Sequence, residues 1–176
     1  MESITPNENN MMTALFSDRD VTETAFQDLL DRGFTRDQIS VVMSEETRNS
    51  FYGKATTSEI GNKAAEGTGV GAAIGGTAGA IIAAIVAIGT TVVIPGLNLV
   101  ILGPIAAALA GAGVGGAAGG LIGALVGLGI PEETVKHYES GLKEGGFVLG
   151  VEPHSAVEAN EIEKVWKGNN AERIYR

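Results

Sequence analysis

The sequence predicts an α+β fold: two β-α-β halves flanking a long uncharged insertion. Three observations predict it. Short apolar, β-branched runs alternate with amphipathic helical patterns at both ends of the chain. No charged residue and no histidine occurs from Gly67 to Pro131. Within that run, small residues recur every fourth position.

The elements follow in order. Residues 1–10 (MESITPNENN) are polar and are expected to be a flexible tail. The first half-domain spans residues 11–44. Met11 to Phe16 (MMTALF) suits a strand, and Ser17 and Asp18 can cap the helix that follows. That helix carries Val21, Ala25, Phe26, Leu29 and Leu30 as an apolar stripe, and Gly33 supplies its stop. Ile39 to Met43 (ISVVM) reads as the second strand. Residues 45–66 are polar and mixed, which predicts a linker with helix near its end.

Residues 67–130 form the uncharged block. Gly67, Gly71, Gly75 and Gly79, continued by Ala83 and Ala87, make one series; Gly103, Ala107, Gly111, Gly115, Gly119, Gly123 and Gly127 make the second. Residues four apart lie on one helix face, so each series predicts a bare stripe that lets another backbone approach closely. Pro95 and Gly96, with Asn98, break the block in two, and Pro104 can open the second arm. The expectation is a helical hairpin with its turn at Pro95, Gly96, Asn98 and Pro104. Its packing residues are Gly67, Gly71, Gly75, Gly79, Gly111, Gly115, Gly119, Gly123 and Gly127.

Residues 131–176 make the closing half. Glu132 and Glu133 follow Pro131 in the first turn of a helix lined by Val135, Tyr138 and Leu142 and ended by Gly145-Gly146. Phe147 to Val151 reads as a strand. Ser155 caps a helix with Val157, Ile162, Val165 and Trp166, and Ala171 to Tyr175 reads as the last strand. Without the hairpin and the helix after it, the remainder is β-α-β followed by β-α-β, the ferredoxin-like arrangement of a four-stranded antiparallel sheet with two helices on one face.

Several of these stretches fit one pattern. They are Phe16-Ser17-Asp18-Arg19, Gly33-Phe34 with Ile39-Ser40-Val41-Val42, the glycine-zipper block, Gly103-Pro104, Gly127-Leu128-Gly129-Ile130-Pro131-Glu132-Glu133, Tyr138-Glu139 and Gly145-Gly146. The chain resembles the bacterial general-stress and low-temperature-induced proteins that carry a glycine-zipper region, over nearly its whole length. The resemblance implies a stress-associated bacterial protein with no established catalytic activity, and it offers no catalytic residues.

Composition narrows the function further. The net charge is −9 and no basic patch compensates, which argues against nucleic-acid binding. No cysteine is present, so thiol chemistry and thiolate metal sites are excluded. His137 and His154 stand alone in the sequence, without a Ser, Asp or Cys partner at a recognised spacing. Glu132, Glu133, Glu139 and Glu144 read as a solvated helix face rather than a metal site. Gly69 to Gly75 has the outline of a dinucleotide loop, but no preceding parallel-strand unit and no following acid. Trp166 is expected to pack on the sheet. No cofactor, metal or enzymatic activity is expected, and a small-molecule ligand is left open.

The uncharged block must be buried in something. As a helix, Gly67 to Ile94 would be roughly 42 Å long at ~1.5 Å per residue, beyond the ~20 residues that cross ~30 Å of hydrocarbon. The expected reading is a non-enzymatic protein that self-assembles into a homo-oligomer and associates with a lipid bilayer through the hairpin; the alternative is a soluble homo-oligomer with the hairpins packed in its core. The large aliphatics concentrate from Ile81 to Leu109, so the turn end is the most apolar. That suits a re-entrant insertion or an oligomer centre better than a full crossing. The strict period of four opposes a disordered spacer. The N-terminus lacks a secretory signal pattern, so the expected location is the cytoplasmic side of the inner membrane, or the cytoplasm as a large assembly. A ligand-sensing ferredoxin-like regulator is the rival class.

Overall fold

A computed structural model describes residues 10–52, 81, 92–94, 98–111, 121–123 and 125–176. It is an α+β structure built on a single antiparallel sheet. The strands are β1 (Met12–Phe16), β2 (Ile39–Ser44), β3 (Val92–Ile94), β4 (Leu99–Leu102), β5 (Phe147–Val151) and β6 (Glu172–Tyr175). The helices are α1 (Arg19–Asp31), α2 (Glu45–Tyr52), α3 (Pro104–Gly111), α4 (Glu132–Lys143) and α5 (Ala156–Gly168). Residues 121–123 and 125–127 are also helical. The strand order is β3-β4-β2-β5-β1-β6, with every neighbouring pair antiparallel.

Local sequence accounts for the element ends. The Asp18 carboxylate accepts from the backbone N–H groups of Asp20 and Val21, capping α1. At its other end Gly33 adopts φ +98°, its N–H reaching Leu30 O while Phe34 N–H reaches Leu29 O, the paired bonds of a Schellman stop. The same pairing closes α4 through Gly145 and Gly146, and closes α5 through Asn170 and Ala171. Ser155 caps α5 by accepting from Glu158 N–H.

The sheet has a hydrophobic core on each face, and strand alternation sorts the side chains between them. Met12, Ala14, Phe16, Val41, Met43, Val100, Leu102, Phe147, Leu149 and Val151 face one way. Ala25, Phe26 and Leu29 of α1 cover them, with Ala159, Ile162 and Trp166 of α5. Leu15, Val42, Leu99, Ile101 and Val148 face the other way. They lie under Ile105 and Ala106 of α3, then Leu121, Leu125 and Ile130, then Val135, Tyr138 and Leu142 of α4. Covering both faces is why β1 and β5 are buried along their whole length.

Two expectations change. The hairpin turn at Pro95, Gly96 and Asn98 was expected between helices, yet Val92–Ile94 and Leu99–Leu102 are strands paired Ile94 to Leu99. β4 then adds itself to β2, with Met43 opposite Val100 and Val41 opposite Leu102. Val-Val-Ile and Leu-Val-Ile-Leu are β-branched runs that fit a pleated, buried surface better than a helix. The segment read as a linker opens directly as α2, because Ser44 Oγ accepts from Thr47 N–H at 3.0 Å and caps it without an intervening loop. Its remainder, residues 53–66, lies outside the described residues.

Candidate functional site

Of the glycines predicted to pack helices, Gly67, Gly71, Gly75, Gly79, Gly115 and Gly119 lie outside the described residues, as do Pro95 and Gly96. Gly111 is the last residue of α3. Asn98 sits in the β3–β4 turn with φ 49°, its carbonyl accepting from Glu45 N–H at 2.6 Å. Pro104 opens α3, where its missing N–H costs nothing.

Gly123 and Gly127 are the informative pair. The helical residues around them have two unlike sides. Leu121 and Leu125 are buried in the second core. Gly123, Val126 and Gly127 are exposed, and Val126 retains 42% of its surface. Among the described residues, a Cβ built at Gly123 or Gly127 would meet nothing within 4 Å. Among the described residues, the result is an open, uncharged surface without side chains at the two glycines, opposite the buried Leu121 and Leu125.

Gly103 serves a different purpose from the stripe in which it was counted. It has φ +78°, and a Cβ there would overlap the Ile39 carbonyl oxygen and lie 2.9 Å from Ser40 Cα. Its lack of a side chain lets β4 turn into α3 against β2, and Ser40 Oγ then accepts from Ile105 N–H at 3.1 Å. Gly141 likewise lies against β1, where a Cβ would overlap the Leu15 side chain.

The other candidate residues are structural or paired. Trp166 is fully buried and meets Phe16 edge-on at 5.9 Å, so it anchors the core. His154 stacks on Phe34 at 4.9 Å, and its Nδ1 lies 2.9 Å from Glu158 Oε2. His137 Nε2 lies 3.8 Å from Glu172. Neither histidine is isolated in space. On α4, Glu132 pairs with Lys136, Glu133 with Arg173, and Glu139 with Lys143. The hydrogen bond from Lys136 holds the Glu132 carboxyl below its ordinary value. Among the described residues, no group of three His, Cys, Asp or Glu is placed to hold a metal ion.

Two buried polar contacts were not foreseen. Tyr138 donates its phenol proton to Arg173 O at 2.8 Å, and Thr13 Oγ1 lies 3.0 Å from the Tyr138 phenol oxygen. Burial pushes the Tyr138 phenol well above its ordinary value. Glu23 is 3% exposed, and its carboxylate accepts from Ile81 N–H at 3.1 Å, tying the uncharged block to α1. The pattern offered one hint: Glu23 sits beside the apolar stripe of its helix, where a charge needs a partner.

A cleft of about 750 Å³ opens between α2 and α4. Leu99, Leu121 and Leu142 form its floor, and Glu45, Glu46 and Glu139 stand at its rim. The Ser44 hydroxyl there is 2.7 Å from Thr47 Oγ1, and Glu139 is held by Lys143. Comparison with known proteins finds no matching family model, no matching curated protein and no matching solved structure.

Proposed function

We propose that this is a non-catalytic, stress-associated protein that works by self-association, with the uncharged block supplying the contact surface. The carrying observation is the outward face of residues 121–127. Gly123 and Gly127 lie four positions apart in helical residues, with nothing above either among the described residues, beside exposed Val126, while Leu121 and Leu125 are buried in the core. A second backbone can approach such a face closely and gain contact without displacing any side chain. The stress association rests on the family resemblance of the sequence.

The sheet is read as a ferredoxin-like core carrying an added β-hairpin. The order β2-β5-β1-β6, antiparallel throughout with α1 and α5 on one face, supports that reading. On this view the uncharged block has two tasks. Part of it closes the second face of the sheet, and the side carrying Gly123, Val126 and Gly127 meets other copies.

The test is Gly123→Leu with Gly127→Leu in the full chain. Both positions are open, so the fold should hold while the particle mass measured by light scattering falls. An unchanged mass refutes the role of this face. A second reading places the same block against lipid, and the absence of charge from Gly67 to Pro131 favours it. Among the described residues no helix is long and apolar enough to cross a membrane. Carbonate-resistant sedimentation reversed by detergent would support the lipid reading.

A further inference from the structure

The ladder that holds β6 to the sheet is irregular. It joins Thr13 to Tyr175 and Leu15 to Glu172, with a shift of register between them. Arg173 is left-handed at φ 47°, and Asn170 just before the strand is left-handed at φ 54°. Residues with a side chain adopt that conformation at a cost. None of the four residues of β6 is fully buried. Ile174 packs at the margin of the first core and Tyr175 at the margin of the second. A strained backbone with little buried apolar surface belongs to a segment that opens more readily than the core.

Side chains supply further attachment, and they reach two separate places. Arg176 bonds to α5, at Asn160 Oδ1 (2.5 Å), Glu163 Oε2 (3.1 Å) and Ala156 O (3.3 Å). Arg173 reaches Glu133 at the start of α4, and Ser17 donates to Glu172. Tyr175 donates its phenol proton to Gly129 O at 2.7 Å. Gly129 is the joint where helical residues 125–127 stop before α4. It has φ +86°; its N–H reaches Val126 O at 2.9 Å, and Ile130 N–H returns to Leu125 O at 3.0 Å. One irregular strand therefore ties α5 to the point where the uncharged stretch ends. The core also tolerates its departure. Tyr138 gives its proton to Arg173 O, but Thr13 Oγ1 stands 3.0 Å from the phenol oxygen. When β6 withdraws, the phenol turns to Thr13, and no buried donor is left unpaired.

We infer that β6 is a latch. It opens as a unit while β1, β2, β4 and β5 stay paired, and its opening loosens the joint at Leu128 to Ile130. Closed, it pins that joint through Tyr175; open, it withdraws the bond to Gly129 O. The seating of the end of the uncharged stretch is thus coupled to ion pairs that β6 makes elsewhere. The latch works within one molecule, so it stands whether or not the chain self-associates.

The experiment follows native-state hydrogen exchange of the full chain by NMR, in wild type, Arg176→Ala, Tyr175→Phe and the double variant. In wild type the amides of β6 should exchange faster than those of β5. Arg176 bonds only to α5, and its side chain is 40% exposed, so its removal leaves the fold intact. Arg176→Ala should nonetheless speed exchange at Gly129 and Ile130 by the same factor as in β6, about two- to fivefold, the worth of an exposed ion pair. The amides of β2 and β5 should keep their rates. With Tyr175→Phe the joint amides should already exchange faster, and adding Arg176→Ala should no longer move them. If Gly129 and Ile130 keep their wild-type rates in Arg176→Ala, the latch is refuted. It is refuted equally if the amides of β6 and β5 exchange together in wild type, because β6 then opens only with the whole domain.

Discussion

Replacing Gly103 with alanine separates two accounts of the same glycine. As one member of a small-residue stripe it should accept alanine, which already stands at position 107 of that series. As the junction between β4 and α3 it should not. The left-handed backbone at φ +78° costs an L-residue ~1–2 kcal/mol. The new Cβ would also fall 2.8 Å from Ile39 C and 2.9 Å from Ser40 Cα, both backbone atoms of β2. β2 is an interior strand held on both sides, so it yields little, and overpacking of this kind costs ~1–3 kcal/mol. The sum is ~2–5 kcal/mol, a large share of the ~5–15 kcal/mol that stabilises most domains. For a chain of this length that lowers Tm by roughly 4–20 °C. Urea and thermal unfolding followed by circular dichroism measure it. Gly168→Ala is the control, since among the described residues a Cβ there meets nothing within 4 Å and its φ is not left-handed, which predicts no loss of stability. A Gly103→Ala protein within ~0.5 kcal/mol of wild type would refute the junction account.

Two further outcomes are expected besides those of the interface variants. The Tyr138 phenol is raised by burial, so above its ordinary value near 10 the unfolded chain loses a proton that the folded chain keeps. Stability should therefore fall as pH rises past that point, by up to ~1.4 kcal/mol per pH unit, and Tyr138→Phe should remove that part of the slope in an alkaline titration. Glu23→Ala takes away the acceptor of a buried N–H and should cost ~1–3 kcal/mol, with faster exchange of the Ile81 amide by NMR; an unaltered Ile81 amide would count against the contact.

Local chemistry made most of the frame legible. Asp18 and Gly33 bound α1, Ser155 caps α5, and Gly145-Gly146 ends α4, because caps and left-handed stops depend on residues within one turn. The β-branched run at Ile39 to Met43 became β2 for the same kind of reason. The reading failed where a four-residue period competed with β-branching. Val92 to Ile94 lies in a block whose small residues suggested a helix, but the open edge of β2 beyond its pairing with β5 offered β4 a partner, and β3 followed through the hairpin.

The candidate surface was half legible. The repeat at Gly123 and Gly127 is plain in the sequence, and so is its lack of charge. Which side of that helix faces out depends on Leu121 and Leu125 finding the second face of the sheet. The sequence by itself determined most strands and helices at the two ends of the chain, their ends, and a central stretch without charge, since all of these follow from side-chain type and near neighbours. Only the tertiary structure decided that Gly103 must be bare, that Glu23 reaches Ile81, and that part of the uncharged stretch covers its own sheet. Those depend on which backbones come together across long separations, and that is set by packing two cores at once.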